Sequence, residues 1–318
     1  MLTIYRTKAI RLESGERFPL LVECDTELPV LDVVDFSLAY HRTKSINSSK
    51  SRVGAIGLFL EWAEACLIDI DERFGSGDPF SQAEIESLAT ALGQSKRKKV
   101  TVGDQVLPGN VLGDTQANRV DWVTEYIRWR ATGVAQAMKI DDPRVPAINQ
   151  RFQQIEKQLK ALKRKGAGKV RLGLTEEQQV RLFEIVRPDS PENPFYAETR
   201  YRNFMLFLLF YELGIRRAES LVLKANHVNL HQNPRITIEP NPGDPSDPRK
   251  DQPLVKTAGR TLPISSLLAQ TIHTYITKHR SQVPGAKKSP FIVLESRNGQ
   301  PLSLASVYDM FVVIRERF

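Results

Sequence analysis

The chain has 318 residues, 41% of them apolar and 26% charged, which excludes intrinsic disorder and suits two domains with a sizeable core. Forty-five Lys and Arg against 37 Asp and Glu leave a formal charge of +8, which points to a polyanion such as nucleic acid or an anionic membrane surface. Two cysteines, Cys24 and Cys66, are too few for a disulfide framework or a zinc site and suit a reducing, cytoplasmic setting. The longest apolar stretch, Phe204 to Phe210, is far shorter than the ~20 residues of a membrane span, so no membrane partner is expected.

The first 30 residues alternate about Glu13-Ser14-Gly15-Glu16 and predict a hairpin. Helical spacing follows over Ser48 to Asp69, with Val53, Ile56, Leu60, Ala63 and Leu67 on one face and Ser48 or Ser49 as cap. Ser81 to Leu92 predicts a helix that opens with a capping box, Ser81 and Glu84. Thr115 to Thr132 predicts another, with Val120, Val123, Ile127 and Ala131 inward. Trp62, Trp122, Tyr126 and Trp129 are spaced as helix core rather than as platforms for bases.

Arg151 to Arg171 holds eight basic residues and one acid, a net +7. Its front part, with Phe152, Ile155, Leu159 and Leu162 on one side, reads as an amphipathic helix running into a Gly166-Ala167-Gly168 tether. A domain boundary is placed there, giving units 1–168 and 169–318. Beyond it, Thr175 and Gln178 mark a helix start, and an apolar helix runs from Glu198 to Leu213. A helix over Arg217 to Lys224 follows. Short strands are expected at 235–239, 254–257, 260–264 and 291–294, and helices over Ser266 to His279 and Ser303 to Arg317. The expected class is mainly α with small β elements.

The chemically informative stretch is Gly214-Ile-Arg216-Arg217-Ala-Glu219. A glycine ends an apolar helix, which would fix Arg216 at a rigid junction where its planar fork can grip a phosphate. A surface arginine paired with Glu219 or Glu212 is the plainer alternative. Forty residues on, Lys256 is expected at the turn end of a hairpin and Arg260 on its returning strand; a lysine there is ordinarily a solvated edge charge.

In this order the residues resemble the catalytic domain of the tyrosine recombinases, the phage-integrase type of site-specific DNA recombinase. Leu174 to Glu177, then the apolar helix, then Gly214 to Glu219 as a G-hydrophobic-R-x-x-E box, then Lys256 ahead of Arg260 to Ile264, then Pro290 to Tyr308 follow the family's sequence of motifs over about 145 residues from Gly173. The resemblance implies a helical core-binding domain followed by a partial α+β catalytic domain. It implies DNA integration or recombination by phosphotyrosyl transesterification, without metal or cofactor, on double-stranded DNA, with self-association there as a dimer or tetramer. Arg216 would stabilise charge on the scissile phosphate, Lys256 would protonate the leaving 5′ oxygen, and Glu219 would support the arginine helix.

The family's H-x-x-R box and the tyrosine after it have no counterpart: none of His41, His227, His231, His273 and His279 begins such a box. Tyr308 lies upstream of that position and is read as a helix residue packed by its ring. His227 and His231 have the spacing of metal ligands, but no carboxylate partner is evident and they are not read as a metal site. The chain therefore reads as ending short of the second box and as unable to cleave DNA alone. DNA-contact candidates are Lys44, Lys50 and Arg52, the run Lys96-Arg97-Lys98-Lys99, the linker residues Lys160, Lys163, Arg164, Lys165 and Lys169, and Arg217 and Arg260. Two other classes stay open: a non-catalytic, recombinase-derived DNA-binding regulator, and a helical adaptor whose basic face aids solubility.

Overall fold

A computed structural model describes residues 4–40, 45–77, 80–102, 105–139, 142–166, 168 and 172–317; for 96–102 and 105–108 it describes the backbone alone. The protein is mainly α-helical with small β-sheets, and it divides into two compact units. The first comprises Met1–Ile10 and Phe18–Val170, the second Arg11–Arg17 and Arg171–Phe318. No described helix is long and apolar enough to cross a membrane.

The chain opens with the expected hairpin, β1 (Tyr5–Arg11) and β2 (Arg17–Glu23). Its turn, counted with the second unit, closes through Leu12 N to Glu16 O at 2.8 Å. Gly15 sits there at φ +86°, and a Cβ on it would lie 2.4 Å from the Gly243 carbonyl oxygen, so only glycine fits.

In the first unit, α1 (Leu31–Tyr40), α2 (Ile46–Ala65), α3 (Ile70–Ser76) and α4 (Gln82–Leu92) lead into a ribbon of β3 (Gln94–Val102) and β4 (Gln105–Asn110). Then come α5 (Gly113–Ala137) and α6 (Arg144–Ala161). The i, i+3, i+4 faces expected of α2, α5 and α6 bury Val53, Ile56, Val120, Val123, Ile127, Phe152, Ile155 and Leu159 in one core. Trp62 and Tyr126 are buried in it, and Trp122 and Trp129 pack against it.

Three expectations at α2 and nearby need correction. Ser45, not Ser48 or Ser49, is its cap, accepting from Ser48 N at 3.3 Å. The helix ends at Ala65, and Leu67 turns outward at φ 56° and is 94% exposed rather than on the buried face. Between the helices expected at Ser81–Leu92 and Thr115–Thr132, where no strand was expected, the chain forms the β3–β4 ribbon.

In the second unit, α7 (Glu176–Val186) opens with the expected Thr175–Gln178 capping box. The apolar helix α8 (Ala197–Leu213) forms its centre, with Phe204 to Leu209 buried all round. A short α9 (Arg217–Leu221) leads to a three-stranded antiparallel sheet: β5 (Val228–Asn229), β6 (Arg235–Ile238) and β7 (Arg260–Pro263). Then α10 (Ser266–Thr274) continues as a π turn to His279, and α11 (Leu304–Arg317) follows.

The structure differs from expectation at the β elements of this unit. Residues 254–257 form no strand, so the expected hairpin about Ala258-Gly259 does not exist; β7 pairs directly with β6, Ile236 opposite Leu262. The Asn241 side chain takes the place of a partner strand, donating to Pro253 O at 3.1 Å and accepting from Val255 N at 3.2 Å. Residues 291–294 are buried but make only single bridges, Phe291 to Lys224 and Leu294 to Pro301. Arg249 donates to the Leu221 carbonyl at 3.2 Å, where α9 stops three residues earlier than expected. Tyr308 lies in α11 as expected but is 59% exposed, so its ring is not a packing group.

Candidate functional site

Two concentrations of cationic side chains stand out, one in each unit. In the second unit, α8 ends at Gly214, which adopts φ 57°, ψ 23° and donates its N–H to Phe210 O at 3.1 Å. Ile215 is buried and pins the turn, so Arg216 falls at the N-cap of α9. Its backbone N–H donates to Glu219 Oε2 at 2.9 Å, half of a capping box, while its side chain remains 61% exposed with Nη1 3.5 Å from Glu219 Oε1.

Glu219 is the hub. Its side chain is fully buried and accepts from Thr257 Oγ1 at 2.8 Å, Arg260 Nη1 at 3.2 Å and Arg260 Nη2 at 2.8 Å. Burial pushes this carboxyl up, but the bonds from Arg260, the Arg216 amide and Thr257 outweigh burial and hold it at about 2. Arg260 also donates to Thr257 Oγ1 at 2.8 Å. Its fork is therefore taken up inside the cluster, whereas Arg216 keeps most of its guanidinium in solvent. Glu212, the other partner considered for Arg216, accepts from Ser265 instead.

Lys256 is exposed, and it immediately precedes Thr257, the residue the loop delivers to Glu219. That loop is anchored behind by a network the sequence did not disclose. Asp247 is fully buried and pairs with Arg249 through two bonds, 2.9 and 2.8 Å; Arg249 reaches Leu302 O at 2.6 Å and lies 5.1 Å from the Phe291 ring centre. Arg17, from the hairpin turn, donates to Asp247 O at 2.7 Å and Gln252 Oε1 at 2.9 Å. The Pro- and Asp-rich run at 240–253 carries no local signal of these partners. Arg217 is exposed on the first turn of α9.

In the first unit the candidates separate by their partners. Arg52 pairs with Glu125 and lies 6.0 Å from the Trp122 ring centre, which makes it a packing residue. Lys160 bonds Glu156 at 2.6 Å and Lys163 bonds Asp121 at 2.7 Å. Lys50 is half-buried on the second turn of α2. Lys44 and Lys169 lie outside the described residues. Arg164 and Lys165 are exposed, and no ion pair to a described residue holds either.

Their position is set by Gln116, which is 1% exposed. Its amide accepts from Arg164 N at 2.9 Å and donates to Leu162 O at 3.3 Å and Ala89 O at 3.4 Å, so the ends of α4 and α6 meet at the start of α5. A Cβ on Gly93 would lie 3.0 Å from the Arg164 guanidinium, and one on Gly113 2.3 Å from Lys165 O. Gly93 is the residue before β3. The Arg164–Lys165 segment therefore meets the root of the strand that carries Lys96 to Lys99, although about 65 residues separate the two runs. No protein-family model matches the chain, and no curated protein matches it in sequence.

Proposed function

We propose that the chain is a duplex-DNA-binding protein whose second unit carries the arginine–lysine half of a tyrosine-recombinase site. In this reading the first unit is a helical core-binding domain and the second the first part of an α+β catalytic domain. The observation that carries it is the contrast inside one cluster: a buried carboxylate takes up Arg260, and leaves Arg216 exposed at a rigid helix start. A guanidinium so placed can form a charge-assisted, two-pronged contact with a phosphate at little cost in ordering.

The resemblance to the tyrosine recombinases supplies the chemistry for that placement. A tyrosine oxygen attacks the phosphorus of the scissile diester, a 3′-phosphotyrosyl bond forms, and the bond to the 5′ oxygen breaks. Arg216 stabilises the charge that grows on the non-bridging oxygens, and Lys256 gives the 5′ oxygen its proton. Glu219 holds the arginine helix and transfers no proton. The 318 residues contain no H-x-x-R box, so in this reading the chain by itself binds the phosphate without cutting it and self-associates on DNA as a dimer or tetramer. The same absence favours a second reading, a non-catalytic regulator that occupies recombinase-type sites.

Duplex binding by Arg216→Ala and Lys256→Ala variants tests the site. Each loses one phosphate contact, so the plot of log affinity against log salt becomes shallower by about 1 in each. Wild-type affinity and slope in both variants would overturn the assignment. The chain alone should yield no denaturant-resistant adduct on a nicked duplex.

A further inference from the structure

We propose that the β3–β4 ribbon and the Arg164–Lys165 segment form a single DNA grip, with the ribbon laid in the major groove and its basic strand along the phosphates. The inference rests on the duplex-DNA reading above and adds the element that enters the groove. A two-stranded ribbon is one of the two elements of secondary structure that the major groove admits.

The ribbon is electrostatically one-sided by sequence. Lys96, Arg97, Lys98 and Lys99 all stand on β3, whereas β4, Gln105–Asn110, carries no charge. The register concentrates them further. Ser95 faces Gly109 and Lys99 faces Pro108, so Lys96, Arg97 and Lys98 stand against one step of the partner strand. A bulge of this kind increases the local twist, which suits a ribbon that must follow a curved groove.

The root of the ribbon is rigid. Arg119 donates from Nη1 to Leu92 O at 2.9 Å and Gln94 O at 2.7 Å, and Val111 N donates to Gly93 O at 2.9 Å. The two exposed cations Arg164 and Lys165 are held at that root by Gln116. By backbone position, six basic residues thus belong to the ribbon and its root. Neutralising six phosphates corresponds to a salt slope of about −5.

The test compares the wild-type chain with a variant carrying Lys96→Gln, Arg97→Gln, Lys98→Gln and Lys99→Gln, titrated into a mixed-sequence duplex at several salt concentrations. A second variant, with Lys96→Arg, Lys98→Arg and Lys99→Arg, keeps the charge. The glutamine variant is expected to lose about 3 to 4 from the slope and the arginine variant almost nothing. Methyl green, which occupies the major groove, displaces the wild-type chain more readily than netropsin, which occupies the minor groove. A glutamine variant with wild-type slope, beside a wild-type chain that binds DNA steeply, overturns the ribbon inference and leaves the DNA reading standing. Preferential displacement by netropsin overturns the groove assignment. Failure of the wild-type chain to bind duplex, with capture by phosphatidylserine vesicles instead, overturns both.

Discussion

The two cationic clusters are held by opposite means. In the second unit a buried carboxylate organises the charges: Glu219 binds Arg260 through both of its terminal nitrogens and orients Arg216 through a backbone N–H. In the first unit a neutral amide, Gln116, organises them, and it touches Arg164 only at the backbone. A cation fixed by an acid has spent its charge inside the fold, whereas one fixed by its main chain still offers that charge to a partner. Arg216 and Arg260 repeat the lesson around a single carboxylate, one side chain 61% exposed and the other 33%.

The largest expected effect follows from removing the acid. Glu219→Ala leaves Arg260 without its carboxylate partner and should cost about 3 kcal/mol, seen as a lower denaturation midpoint and faster amide exchange over residues 214–223. A loss below about 1 kcal/mol would break the comparison, because Glu219 would then organise nothing. The pH dependence has a definite sign. The carboxyl sits at about 2 in the fold, below its ordinary 4.5, so its stabilisation is complete above about pH 5 and is lost as pH falls towards 2. Acid unfolding of wild-type protein should therefore begin in that window, and a Glu219→Gln variant should be flatter across it.

The neutral hub is worth less. Gln116→Ala removes three hydrogen bonds, one buried and two half-buried, and should cost about 2 kcal/mol, and it should also weaken duplex binding by releasing Arg164 and Lys165 from the ribbon root. A stability loss with unchanged DNA affinity would separate the amide from the basic surface. The smallest effect belongs to Arg216→Ala: its side chain is mostly in solvent, so stability should shift by less than about 0.5 kcal/mol. A large loss would make Arg216 structural, like Arg260.

How much of this was legible depended on what each residue had to contact. The apolar faces of α2, α5 and α6 follow helical period, and the Ser81 and Thr175 capping boxes are local four-residue patterns, so both could be read directly. Gly214 and Arg216 were legible for the same reason. The helix α3 left signals that went unused: Asp69 accepts from Glu72 N at 3.0 Å, and Gly77 ends the helix at φ 73°. The ribbon was hidden because four consecutive cations look like a solvated loop and Pro108-Gly109 like a turn. The missing strand at 254–257 was unreadable because Asn241, a side chain 12 to 14 residues upstream, bonds Pro253 O and Val255 N where a partner strand was expected. The convergence of Arg164 with the root of β3 needed the fold itself, since it runs through Gln116.

We propose that the unspent cations bind the phosphate backbone of a duplex. Affinity for a mixed-sequence duplex measured between about 50 and 200 mM salt tests it most directly: log affinity should fall against log salt with a slope of about −5 or steeper. An affinity that does not change with salt would contradict it.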